Sequence, residues 1–311
     1  MISSNTSASC SKKNTKHFGN DRGYPYLLIA PSLLLIALLM FIPLLSVLKL
    51  SLQNYSMTSL YGRGFIGLKN FQDILGSDSV FWHSIPVTIQ WVVIEVVCQL
   101  VFGMIVALLL NRTFKGRGLA RAMMFIPWAV SGVLTTMLWL LIFNQHIGLL
   151  NDLLHKLGII KTNVAWLANP KMVFGSVILA ELWRGIPFFA ITLLAALQTI
   201  PLEIYESAKV DGCGPVRQFF WITLPFLKEA IVFSTLMRAI WEFNNIDMIF
   251  TMTGGGPVYL TTTLPIYMMQ TAIIEGNYGY GSALAVFIFV ILMIFTVFYL
   301  AMNKFGRNID E

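Results

Sequence analysis

The chain has 311 residues, of which 57% are hydrophobic and 12% charged; soluble domains carry about 25% charged and about 45–50% apolar residues. Its 21 basic and 15 acidic side chains leave a formal charge of +6. The bases are spread over several connections and do not line one helix or patch, which argues against a nucleic-acid partner and for membrane lipid as the surrounding medium.

The first 23 residues are rich in Ser, Asn and Lys and read as a flexible tail. The apolar run after them extends from about Leu27 to Leu48 with no small-residue cleavage site, so it is expected to stay as a membrane segment. Stretches of about 20 apolar residues, the length a bilayer core requires, occur at Tyr24–Leu48, Ser84–Leu110, Leu119–Phe143, Met172–Leu197, Ala230–Met252 and Gly281–Met302. The expected fold is an all-α polytopic membrane protein with six transmembrane helices. Residues 24–83 hold the first helix and an outer loop, residues 84–303 the main membrane domain, and 304–311 a short tail.

Basic residues set the orientation. With the N-terminus inside, the cytoplasmic side receives Lys12, Lys13, Lys16, Arg22, Arg112, Lys115, Arg117, Arg121, Lys209, Arg217, Lys228, Lys304 and Arg307. The outer side receives Lys49, Arg63, Lys69, Lys156, Lys161 and Lys171. Both termini are therefore expected in the cytoplasm. The outer segments Ser51–His83 and Asn144–Lys171 mix turn formers with aromatics and are expected to form short interfacial helices.

Several chemistries lack a motif. Cys10, Cys98 and Cys213 form no C-x-x-C pair, and His17, His83, His146 and His155 are dispersed without an H-E-x-x-H arrangement, so no metal site is expected. No G-x-x-x-x-G-K-[ST] phosphate loop occurs, and no nucleophile–base–acid order selects a catalytic step.

The connection Pro201–Pro225 is more organised than a loop. Pro201 starts a helix, Glu203 and Glu206 favour its first turns, and Asp211-Gly212 followed by Gly214-Pro215 stops it. Ile204, Tyr205 and Ala208 share one face and leave Glu203, Glu206 and Lys209 to another surface. Either this helix merely covers the span ends, or it docks against a moving soluble partner. Gly212 permits the reversal and Pro225 fixes entry into the fifth span.

Within the spans lie Glu95, Glu181 with Arg184, and Arg238 with Glu242 and Asp247. Ionisable groups at that depth pair with one another or face a polar cavity. Glu181 with Arg184 and Arg238 with Glu242 have spacings that bring each pair onto one helix face, as structural locks or as the lining of a hydrated pathway.

The run Glu206-Ser207-Ala208-x-x-Asp211-Gly212 with Ile222-Thr223-Leu224-Pro225 resembles the EAA loop of binding-protein-dependent ABC importer permeases. Gly116-Arg117-Gly118 with Phe125-Ile126-Pro127-Trp128, Trp183 to Phe189, Leu197 to Pro201, Ile240 to Asn245, and Gly254-Gly255-Gly256-Pro257 are similar to the carbohydrate-uptake, maltose permease-like branch. The resemblance runs from about Leu27 to Lys304. It implies the type I importer permease fold in a bacterial cytoplasmic (inner) membrane, with residues 201–225 as a cytoplasmic coupling region. It also implies a second homologous permease, two cytoplasmic ATPases carrying ATP and Mg, an extracytoplasmic solute-binding protein, and no cofactor or catalysis on this chain. Glu206, Ser207, Ala208, Asp211 and Gly212 become the coupling residues, with Ser207 and Cys213 replacing the usual alanines. Arg184, Gly185 and Phe188 fall on one side of a sugar-like solute, and Trp241, Glu242 and Asn245 on the other. Glu242 stands where the family has an amide and Arg184 where it has an aliphatic residue, which changes the expected solute pose.

Overall fold

A computed structural model describes residues 24–57 and 64–303. The expected tails 1–23 and 304–311 lie outside them. The chain divides into two units at Ser46/Val47.

In the first unit, α1 (Tyr24–Ile36) passes through a wide π turn at Ala37–Phe41 into α2 (Ile42–Ser51). The turn sits directly before Pro43, whose ring cannot accept the carbonyl four residues back and whose nitrogen has no proton to donate. One wider turn removes both conflicts. Leu33, Leu39, Phe41 and Leu45 are all exposed, so the helix is apolar around its circumference, as a lipid-surrounded span requires.

The second unit takes in the last residues of α2, from Val47 on, and then a small hairpin that the sequence reading did not foresee: Gln53–Asn54 pairs antiparallel with Gly64–Phe65. Helix α3 (Lys69–Ser77) follows, then α4 (Ser79–Asn111), which starts five residues before the expected span. Asp78 caps α4 by accepting from the Phe81 amide at 2.9 Å. Its other oxygen accepts from the Tyr267 and Tyr280 hydroxyls at 2.7 and 2.6 Å.

The expected third span is broken. Helices α5 (Arg117–Ala129) and α6 (Gly132–Ile142) meet at 92°. Pro127 lies in the last turn of α5 and Gly132 begins α6. These residues punctuate an apolar run that composition alone reads as continuous. Helix α7 (Leu149–Lys156) is one of the expected outer helices, and α8 (Val173–Leu197) forms the fourth span.

After α9 (Leu202–Val210) come α10 (Pro215–Gln218), a second π turn at Phe219–Thr223 just ahead of Pro225, and α11 (Leu224–Phe226). The fifth span consists of α12 (Lys228–Phe243) and α13 (Asp247–Thr253), and the segment Pro215–Phe226 meets it at 66°. Helix α14 (Leu264–Met269) continues as a π turn to Ile274, and α15 (Tyr278–Met302) is the last span. Among the described residues four helices are long and apolar enough to cross a membrane, six if each bent pair counts as one. The all-α six-span expectation therefore holds in number, with the third and fifth spans bent.

Helices α4, α8 and α12 form the centre. Phe189, Leu193, Leu227 and Ala107 are buried in one cluster between them. A β-carbon at Gly103 of α4 would overlap Phe189 of α8, so glycine permits the close approach of the two longest packed helices.

Candidate functional site

Halfway along these helices, the apolar packing gives way to a polar knot. Glu95 and Gln99 come from α4, Glu181 and Arg184 from α8, and Arg238 and Glu242 from α12; the three- and four-residue spacings aim each set at the same centre. Arg238 is 4% exposed and Glu181, Gln99 and Glu95 are at 0%. Arg238 reaches Glu181 at 3.0 Å and Glu242 at 2.6 Å, while its Nε donates to Gln99 Oε1 at 2.6 Å. The Gln99 amide donates to Glu95 and Glu242, each at 2.9 Å. Asn245 Nδ2 donates to the second oxygen of Glu242 at 3.2 Å, and Trp91 donates to its backbone carbonyl at 3.2 Å.

Buried charges persist only when paired and hydrogen-bonded, and this arrangement satisfies Arg238 and Glu242 together. Gly185 has its reason here too. A β-carbon at that position would overlap Gln99 and Arg238, so glycine lets α8 close on the knot.

The candidate pathway residues thus separate into two groups. Gly185, Glu242 and Asn245 are buried and part of the knot. Arg184, Phe188 and Trp241 keep accessible surface at its edge: the Arg184 side chain is 23% exposed and Trp241 43%. Arg184 bonds to Glu181 at 3.2 Å and extends to the α5–α6 break, where a β-carbon on Gly132 would lie 2.8 Å from its Nη1 and 3.8 Å from Asp247 Oδ2. The Phe188 and Trp241 rings touch, with centroids 5.1 Å apart and planes at 60°. They form one continuous aromatic surface, with Phe188 one helical turn from Arg184 on α8.

Gln99 was not singled out from the sequence, although it is the only group bonded to all three of Glu95, Arg238 and Glu242 among the described residues. The available signal was its four-residue spacing from Glu95 inside an apolar span.

The second candidate region is α9. Glu203, Glu206, Ser207 and Lys209 are exposed, whereas Ile204, Tyr205 and Ala208 are partly covered, in the division their spacing implies. The Tyr205 hydroxyl meets Thr223 Oγ1 at 2.9 Å and anchors the helix to the segment leading into α12. The C-terminus closes through Cys213 N–H to Ala208 C=O at 2.8 Å and Gly212 N–H to Lys209 C=O at 3.0 Å, with Gly212 at φ +74°. This is the left-handed stop that glycine enters without penalty. Asp211 and Gly212 are exposed at the tip, and so are Leu202 and Val210, at 75% and 88%. The face combines acidic and apolar groups.

With this geometry in place, comparison with known proteins gives a consistent result. The chain is 35% identical over 283 residues to the trehalose/maltose transport system permease protein MalF of Thermococcus litoralis, covering 91% of this chain and 94% of that one. It is 36% identical over 280 residues to the sulfoquinovosyl glycerol transport system permease protein SmoG of Agrobacterium fabrum, covering 90% of each. Its fold matches a subunit of a bacterial ABC transporter involved in the import of the acidic polysaccharide alginate, with a TM-score of 0.80 at 20% identity over 92% of this chain and 97% of that one. Residues 99–309, which include every residue of the knot except Glu95 together with α9 and the last spans, match the binding-protein-dependent transport system inner membrane component family, and the chain belongs to that family.

Proposed function

We propose that this chain forms half of the membrane pathway of an ATP-driven importer for a sugar or sugar-like solute. The observation that carries the reading is its similarity, over about nine-tenths of its length, to permease proteins named for trehalose/maltose and sulfoquinovosyl glycerol transport. The Phe188–Trp241 surface beside Arg184 suits such a solute: aromatic faces cover the apolar side of a sugar ring, and charged or amide groups bond its hydroxyls. A second homologous permease completes the pathway, and an extracytoplasmic binding protein delivers the solute. Two cytoplasmic ATPases hold ATP and Mg, and this chain carries out no chemistry itself. The N-terminus, α9 and the C-terminus face the cytoplasm of a bacterial inner membrane. Glu206, Ser207, Ala208, Asp211 and Gly212 contact an ATPase through a helix whose stop at Gly212 gives it a rigid end.

Arg184 bears on the charge of the solute: it retains accessible surface while its counter-ion Glu181 is fully buried, and the exposed Asp247 carboxylate lies at the same α5–α6 break. The deciding experiment is a solute-stimulated ATPase screen of the complete reconstituted transporter, with neutral and acidic mono- and oligosaccharides. Arg184→Met is then compared at matched amounts of assembled complex, with binding-protein affinity recorded separately. Loss of the charged hydrogen bond costs about 1–3 kcal/mol, roughly 5- to 150-fold in affinity, and moves acidic sugars down the ranking. Stimulation by no saccharide removes the sugar reading; an unchanged ranking in Arg184→Met removes direct contact by Arg184.

A further inference from the structure

A cleft of about 370 Å³ lies between the end of α4, the start of α5, the end of α8 and the start of α9. Asn111, Arg117, Arg121, Gln198, Leu202 and Tyr205 are among its lining residues, and no acidic side chain is among them. Neither guanidinium has a carboxylate partner among the described ion pairs. Arg117 is pinned at the edge by donation from its Nε to Leu110 C=O at 2.7 Å. Arg121 differs, because its Nε and Nη2 are closed off from solvent and have no hydrogen-bond partner among the described residues.

Buried donors on a cation are costly to leave unmade. Two other guanidiniums among the described residues are matched: Arg238 by two carboxylates and an amide, Arg184 by Glu181. The cleft thus brings together two arginines, Gln198 and Asn111 with no carboxylate among its lining residues, a set of donors that matches an anion with several acceptor oxygens. A phosphoryl group has this form, and arginine forks bind it in bidentate fashion. Leu197, Ile200 and Leu202 supply an apolar side to the same cleft.

We propose that this cleft binds a phosphoryl group, bridging Arg117 and Arg121 and tying the start of α5 to α9. The ligand is the headgroup of an anionic phospholipid or a free phosphate. The site is separate from the solute pathway and stands whether or not the transported solute is a sugar. Because Leu202 and Tyr205 of α9 line it, occupancy sets how firmly α9 is held.

Arginine-specific labelling of the assembled wild-type transporter tests this. Phenylglyoxal modification of Arg117 and Arg121 is followed by peptide mass spectrometry in nanodiscs of phosphatidylcholine alone, with added phosphatidylglycerol, or with added inorganic phosphate. Arg112, which lines a different cleft, is the internal reference. At about ten times the dissociation constant, labelling of the two arginines falls about tenfold while Arg112 is unchanged. Protection by phosphatidylglycerol identifies a lipid headgroup, and protection by inorganic phosphate in phosphatidylcholine identifies the free anion. Arg121→Gln abolishes protection of Arg117; where that variant does not assemble, the wild-type pattern alone decides. Absence of protection in both arms, or equal protection of Arg112, overturns the site.

Discussion

The polar knot and α9 are built from the same kinds of side chain and use them in opposite ways. In the knot, Glu181, Arg238 and Glu242 are turned toward one another and away from everything else, with exposures of 0, 4 and 1%. On α9, Glu203, Glu206 and Lys209 lie exposed on a helix with no fully buried residue. A charge inside a membrane span is under strong pressure to find a partner within the chain, whereas a charge at an exposed helix end has no such need and remains available to another molecule. Chemical conspicuousness in the sequence therefore coincides with internal pairing in the first region and with exposure in the second.

The most severe way to break this contrast is Arg238→Met, which leaves Glu181 and Glu242 without their shared cation. Removal of one partner from a buried ionic cluster costs about 3–5 kcal/mol, so the variant should lose most assembled complex or melt well below the wild type. Adding Glu242→Gln should recover part of the loss; an unchanged melting temperature in Arg238→Met would show that the knot does not hold these helices together.

Gly185→Ala probes the same region sterically. The added methyl overlaps Gln99 and Arg238, and overpacking of this kind costs about 1–3 kcal/mol. Thermal unfolding of the purified complex should show a decrease smaller than that of Arg238→Met, with Gln99→Ala restoring room but removing the hydrogen bonds.

On α9, Gly212→Val places a β-branched residue at φ +74°, at a cost of about 1–2 kcal/mol, and no side chain lies within 4 Å of the new methylene position. The strain is local to the turn. Solute-stimulated ATP hydrolysis should fall while membrane insertion and assembly remain; Gly212→Asn, which tolerates the left-handed region, should fall less. Wild-type coupling in Gly212→Val would remove the reversal from the mechanism.

Glu206→Lys sharpens the comparison from its weakest end. The residue is exposed, so the change in stability should stay within about 0.5 kcal/mol, yet reversing its charge should impair coupling to the ATPase. A matched loss of stability and coupling would place Glu206 inside this chain's own packing.

Local rules recovered much of this molecule. Long apolar runs located the spans, the Pro201 and Gly212 signals bounded α9, and the spacings of Glu181 with Arg184 and Arg238 with Glu242 anticipated pairs that meet at 3.2 and 2.6 Å. What escaped depends on neighbours distant in sequence. Gln99 acquires its role only when α12 brings Arg238 and Glu242 to it, and Gly185 only when α4 lies against α8. The break between α5 and α6 was carried by Pro127 and Gly132, but an apolar run reads the same whether straight or bent. That the Phe188 and Trp241 rings lie 5.1 Å apart could not be read from the sequence, because helix membership reveals nothing about whether two rings touch.

Helix α4 joins features that have so far stood apart. At one end Asp78 caps it and gathers the hydroxyls of Tyr267 and Tyr280; at the other, Asn111 borders the arginine cleft beside α9. Between them run 33 residues without interruption, about 50 Å at the usual helical rise. Glu95 and Gln99 of the knot lie near the middle of this helix. A tilt of about 5° displaces an end of a rod about 50 Å long by about 4 Å when it pivots at the other end, and by about half that when it pivots at the middle. One helix axis thus carries the tyrosine-held cap, two members of the knot and the border of the arginine cleft.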